Sequence, residues 1–266
     1  MVKTKKHFLM CPPDYFDIEY EINPWMDKTN PVKAEVASAQ WHALYDLYEK
    51  LGYELKLIRP EPGLPDMVFT ANGGLVINGR DMLPRFKYRE RQPETALFAN
   101  WFAANGLETR LPDHDFEGEG DALVCGEYIL AGWGFRSDRE SHAELRDYFD
   151  RPVISLHLIN PNFYHLDTAL AILDAKTVAY YPGAFDESSQ RALELAVPNI
   201  IRATASDAEG FGLNAVSNGH DVVISDRAKH LGETLEKAGF RVHLTPITEF
   251  RKSGGGVKCL TLELRK

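Results

Sequence analysis

Short apolar, β-branched runs and amphipathic stretches take turns along the whole 266-residue chain, and this alternation constrains the fold more than any other feature. Runs of strand character fall at 7–11, 68–77, 122–131, 169–181, 221–225 and 259–264, bounded by Gly, Pro, Asn or Asp. Between them, helical stretches cover 31–51, 94–105, 141–149, 187–196 and 228–239, most of them closed by a glycine or a proline. The pattern predicts an α/β fold and excludes both a helical bundle and an all-β sandwich. A helix recurs about every 45 to 50 residues with more than one strand per helix, which fits a repeated unit closing into a propeller-like ring. No G-x-G-x-x-G opens a helix and no G-x-x-x-x-G-K-[ST] is present, so a nucleotide-binding sheet has no motif to stand on.

The 44% of hydrophobic residues suffices for a packed core, and no low-complexity tract breaks the chain, so residues 1–266 read as one domain. A net charge of −9, with lysines and arginines scattered, opposes nucleic-acid binding. The basic start, Met1 to Lys6, is followed by no apolar signal core, and no run of about 18 apolar residues is present to span a bilayer. Three widely spaced cysteines, Cys11, Cys125 and Cys259, form neither a zinc pattern nor a disulfide framework, which points to a reducing cytoplasm.

Three segments can carry chemistry. In Ser253-Gly254-Gly255-Gly256-Val257-Lys258-Cys259, three glycines let the backbone turn sharply ahead of a cysteine at the mouth of a strand. A lone cysteine is more often a small buried hydrophobe, as Cys11 and Cys125 are expected to be. In Tyr164-His165-Leu166-Asp167-Thr168, an extended backbone would project His165 and Asp167 to one face, an arrangement suited to acid–base work. In Phe116-Glu117-Gly118-Glu119-Gly120-Asp121, three carboxylates separated by glycines can converge on one cation. A guanidinium matches such a cup better than a metal, because the spacings of Ca²⁺ and Zn²⁺ sites are absent. Two basic segments, around Arg91 and in Gly134-Phe135-Arg136-Ser137, offer forks for a substrate carboxylate.

Together these segments resemble the guanidino-group-modifying enzymes: arginine deiminase, dimethylarginine dimethylaminohydrolase and the amidinotransferases. The likeness runs over nearly the whole chain. It is carried further by Ile22-Asn23-Pro24-Trp25-Met26, Phe69-Thr70-Ala71-Asn72, Glu90-Arg91-Gln92, Tyr181-Pro182-Gly183 and Lys258-Cys259-Leu260-Thr261. The resemblance implies a five-bladed α/β propeller, or pentein, of ββαβ repeats around a central active site. It implies Cys259 as nucleophile, His165 as acid/base, and Glu117 and Asp167 as the carboxylates that grip the guanidinium. Asn23, Asn72, Arg91, Asp121 and Arg136 fall at substrate-binding positions, and no metal or cofactor is called for. The implied partner is a small molecule, arginine or a methylated arginine, with homo-oligomerisation left open.

Among the branches, arginine dihydrolase is the most similar. Where arginine deiminases carry Phe-Thr-Arg-Asp, this chain has Phe69-Thr70-Ala71-Asn72. A neutral amide loses attraction to a cation but can hydrogen-bond a neutral ureido group as donor and acceptor, so citrulline need not leave after the first hydrolysis. The expected outcome is ornithine, carbon dioxide and two ammonia. Single-step release of citrulline is the first alternative, from arginine or from a methylated arginine. An amidinotransferase and a silent arginine-binding protein are more distant ones.

Overall fold

The computed structural model describes residues 6–265, and within them the strands form five three-stranded sheets. β1 (His7–Met10) leads through α1 (Ala34–Lys50) to β2 (Glu54–Leu57), which runs parallel to β1. Four further units repeat one plan, an antiparallel pair, a helix and a third strand parallel to the second. The first two are β3 (Leu75–Ile77), β4 (Arg80–Met82), α2 (Glu94–Ala104) and β5 (Glu108–Arg110), then β6 (Ala122–Cys125), β7 (Tyr128–Trp133), α3 (Ser141–Phe149) and β8 (Val153–His157). After the short α4 (Leu166–Ala169) come β9 (Leu170–Asp174), β10 (Thr177–Tyr180), α5 (Glu187–Ala196) and β11 (Asn199–Arg202). After α6 (Ala205–Glu209), a last complete unit holds β12 (Val216–Ser217), β13 (Asp221–Ser225), α7 (Lys229–Lys237) and β14 (Arg241–Thr245). α8 (Thr248–Arg251) then leads to β15 (Leu262–Glu263), which returns to β1, Phe8 facing Glu263, and completes the first unit from the far end of the chain.

Five ββαβ units thus stand as the blades of an α/β propeller. The first strands of neighbouring blades meet at the centre: β15 against β3, β6 against β9, and β9 against β12. Between β6, β9, β12 and β15 lies a cavity of about 330 Å³. The helices form where the sequence gives them a stripe and a start. α1 buries Ala37, Gln40, Trp41, Leu44 and Tyr48 at three- and four-residue spacing. Asp186 caps α5 by accepting from the Ser189 amide, and Thr204 with Asp207 forms a capping box at α6. None of the described helices is long and apolar enough to cross a membrane.

The five expected helices are present within a few residues, and 221–225 is a strand as expected, but the other runs hold shorter strands than expected. The runs 122–131 and 169–181 are each a hairpin, and only Leu75–Ile77 of 68–77 is strand. The remainder of 68–77 turns as 3₁₀ helix over Thr70–Gly73, ending at the Gly73-Gly74 pair. Residues 257–260 form a turn rather than the start of a strand, with Leu260 N–H donating to Gly256 O and Thr261 N–H to Lys258 O.

Candidate active site

Of the expected residues, Asn23, Asn72, Arg91, Arg136, His165 and Cys259 line one small pocket, while Glu117, Asp121 and Asp167 stand against its lining side chains. Cys259, in the turn before β15, is 4% exposed, and its sulfur lies 3.2 Å from Asp167 Oδ2 and 3.0 Å from Asn214 Nδ2. Burial, and then the charge of Asp167, push its thiol well above the ordinary range. Asp167 itself is buried, and its Oδ1 has no hydrogen-bond partner. Burial raises its carboxyl to about 6, with His165 and Lys258 offsetting part of that cost.

His165 Nε2 sits 2.8 Å from Glu117 Oε2, and the same oxygen accepts from Arg136 Nη1 at 2.9 Å. Burial alone would raise the Glu117 carboxyl, yet Arg136 and His165 hold it far below the usual carboxylate range. Arg136 also donates to Ile22 O and lies between the rings of Tyr88 and Tyr164. Arg91 is held by both oxygens of Glu94 at 2.8 Å, by Asn72 Oδ1 at 2.9 Å and by Asp66 O. Asn72 Nδ2 donates to Glu117 O. Asn23 donates to Ser253 O and accepts from the Trp25 amide, so the segment around it closes over the glycine run.

Two readings of the sequence need correction. His165 and Asp167 do not lie on an extended strand. His165 is extended, but it caps the short helix α4, which carries Asp167. The two side chains therefore part, the imidazole going to Glu117 and the carboxylate to Cys259. Nor do the three carboxylates of 117–121 form one cup. A 3₁₀ turn over Gly118–Gly120 advances about 120° per residue, so side chains two apart diverge. Glu117 meets both His165 and Arg136, and Asp121 Oδ2 lies 4.0 Å from the same His165 Nε2. Glu119 points the other way, to Lys258 and Arg265. Asp121 stands behind His165, accepting from Ser137 Oγ at 2.7 Å and from the Leu166 amide at 3.1 Å.

Sequence reasoning missed several contributors. Asp66, Phe69, Tyr164 and Ser253 line the pocket, and Asn214 supports the sulfur. Phe69, Tyr164 and Ser253 stand inside quoted motifs without having been given a role, but Asn214 gave no signal apart from its side chain's chemistry. The glycine run has the steric use expected of it. Gly254 adopts φ +77°, and a side chain there would meet the Tyr164 hydroxyl, while one at Gly256 would crowd Asn214. The pocket as it stands offers about 10 Å³ of free space, no more than about one water molecule.

A propeller of this plan, with a buried cysteine, histidine and carboxylates drawn to its centre, is the architecture of the guanidino-group-modifying class. The model of the family described as N,N dimethylarginine dimethylhydrolase, eukaryotic, matches residues 12–266, and the chain belongs to this family. The chain is 46% identical over 259 residues to the N(G),N(G)-dimethylarginine dimethylaminohydrolase of Mycobacterium tuberculosis, covering 97% of this chain and 86% of that protein. It is 43% identical to the bifunctional arginine dihydrolase/ornithine cyclodeaminase ArgZ of Synechocystis, covering 96% of this chain but 37% of that longer protein. The crystal structure of the ArgZ N-terminal domain with substrate bound superposes with a TM-score of 0.95 at 41% identity, covering 98% of this chain and 99% of that domain. A dimethylarginine dimethylaminohydrolase adduct at 18% identity shares the fold, with a TM-score of 0.80.

Proposed function

We propose that this chain hydrolyses the guanidinium group of arginine through a covalent bond to Cys259 and carries the reaction through citrulline to ornithine. One observation supports this reading above the others: the Cys259 sulfur is 3.2 Å from a carboxylate whose second oxygen has no partner, in a pocket shared with His165. A guanidinium placed there would satisfy the open acceptor and neutralise the charge that keeps the thiol protonated. The substrate cation therefore favours the thiolate that attacks it.

In the first displacement Sγ bonds to the guanidinium carbon, and one terminal nitrogen leaves as ammonia with a proton from His165. His165 then takes a proton from water, the water oxygen adds to the same carbon, and the C–S bond breaks to give citrulline. Repetition on the ureido carbon releases a second ammonia and a carbamate of ornithine, which loses carbon dioxide. The neutral Asn72 supports the second round, since an amide serves a ureido group as donor and acceptor. Similarity to the arginine dihydrolase domain points the same way, while the dimethylarginine dimethylaminohydrolase at 46% identity favours a second reading, hydrolysis of a methylated arginine. Arg91 and Arg136 are the cations available to the substrate carboxylate, once Arg136 leaves Glu117. Residues 1–266 are read as one catalytic unit in the cytoplasm, acting on a small molecule.

Arginine, dimethylarginine and citrulline supplied in parallel decide between the readings. Two ammonia and one ornithine per arginine are expected. Accumulation of citrulline with one ammonia overturns the second round, and turnover of dimethylarginine alone overturns the substrate. Cys259→Ser is expected to lower kcat at least about a thousandfold with unfolding temperature unchanged.

A further inference from the structure

Asn214 belongs to no sequence motif discussed above, yet its side chain is fully buried and every polar atom of it is used on the nucleophile's surroundings. We propose that Asn214 is a positioning residue for Cys259, fixing the turn that carries the sulfur and donating an N–H to the sulfur that favours its thiolate form.

The orientation of this amide follows from its neighbours. Oδ1 accepts from two successive backbone amides, Lys258 N at 2.9 Å and Cys259 N at 3.1 Å. Those two N–H groups can only donate, so the atom facing them must be the oxygen. Nδ2 is then left to donate to Asp167 O at 3.1 Å and to Cys259 Sγ at 3.0 Å. A hydrogen bond from N–H strengthens when its acceptor becomes an anion, so this contact stabilises thiolate more than thiol. Asn214 thus opposes Asp167, which draws the thiol proton from the other side at 3.2 Å. The missing side chain at Gly256 makes the approach feasible, because a Cβ there would come within 2.8 Å of Oδ1. One carboxamide therefore joins the α4 segment, the 211–215 loop before β12 and the Cys259 turn, which belong to three different blades.

The inference rests on Cys259 being the nucleophile, and the experiment separates the two. The rate of Cys259 alkylation by iodoacetamide, a neutral probe, is followed against pH by mass spectrometry of the peptide that holds it. The unmodified protein is compared with Asn214→Asp and Asn214→Ala. Asn214→Asp retains an oxygen for both backbone amides but replaces the donor by a carboxylate. The other charged and titratable groups around the sulfur, Asp167, His165, Tyr164 and Lys258, are the same in all three proteins. In Asn214→Asp the alkylation inflection is expected to move up by at least about one pH unit, a tenfold loss of rate below it. A smaller upward move is expected in Asn214→Ala, and this variant decides the matter should Asn214→Asp fail to fold. A lower unfolding temperature or lower kcat with an unmoved inflection would reduce Asn214 to a structural support and overturn the proposal. Alkylation of Cys259 in the unmodified protein without loss of turnover would instead overturn the nucleophile assignment beneath it.

Discussion

Asp167 carries two tasks on two oxygens. Oδ2 meets the Cys259 sulfur, and Oδ1 stands without a partner in a site closed to solvent. Burial raises this carboxyl to about 6, so at neutral pH it is ionised and able to hold a guanidinium, and it loses that charge as pH falls through about 6. Since kcat/KM reports the free enzyme, its acid limb is expected near pH 6, with a tenfold fall for each unit below. Asp167→Asn should lower kcat/KM by at least about a hundredfold, for loss of the charge, and leave a residual activity that is flat through this range. A limb that survives unchanged in Asp167→Asn would assign the titration to another group. Burial and then this carboxylate keep the resting cysteine a thiol: a negative group at 3.2 Å disfavours a second negative charge until a cation intervenes.

At the level of elements, the segment from Asp17 to Asn30 contributes to the pocket wall through Asn23 and Met26. Trp25 pins it, its indole Nε1 donating to Asn162 O at 2.8 Å and its ring packing edge-on against Phe211. Arg136 reaches the same segment through Ile22 O. Free space of about 10 Å³ means that some part of the wall must move before substrate enters, and the expectation to be tested is that this segment is the part that moves. Trp25→Ala removes one hydrogen bond and an aromatic contact, worth about 1–2 kcal/mol together, and should raise the open population accordingly. Cys259 alkylation is then expected to quicken roughly five- to thirtyfold, and the arginine KM to rise; an unchanged alkylation rate would mean that this segment does not gate entry. Legibility in the sequence divides along the same line. Helices such as 141–149 and 187–196 declare themselves, because a buried stripe must repeat every three to four residues over several turns. Strands of two to six residues offer too few repeats, and the 3₁₀ turns at 70–73 and 118–120 have no period to read. Cys259, His165 and Glu117 could be singled out because motifs flank them. Asn214 could not, since its partners lie 44 and 45 residues further on and only the closed ring brings them near.

For the molecule as a whole, closure depends on a two-residue strand. β15 returns to β1 at the chain's other end, and Val76 bridges to Leu264 so that the second blade is tied to the same seam. Backbone pairing this short cannot hold two ends together alone, and a line of charges reinforces it. Glu263 is held by Lys6 at 2.8 Å and by Arg265, while Glu119 of the third blade's approach binds Arg265 and Lys258. Because Lys258 precedes Cys259, the seam that closes the ring also backs the turn that carries the sulfur. Burial alone would raise the Glu263 carboxyl, but Arg265 and Lys6 bring it down to about 2 from an unfolded value of 4.5. A depressed carboxyl contributes stability that is fully present above about pH 4.5 and disappears as pH falls toward 2. With its side chain 18% exposed, solvent trims the contribution to about 2 kcal/mol. Glu263→Gln should therefore lower the unfolding temperature at pH 7 by about 4–8 °C, and the difference from the unmodified protein should narrow as pH falls from 4.5. A difference that stayed constant over that interval would show that the seam is held by its packing, with Glu263 contributing shape rather than charge.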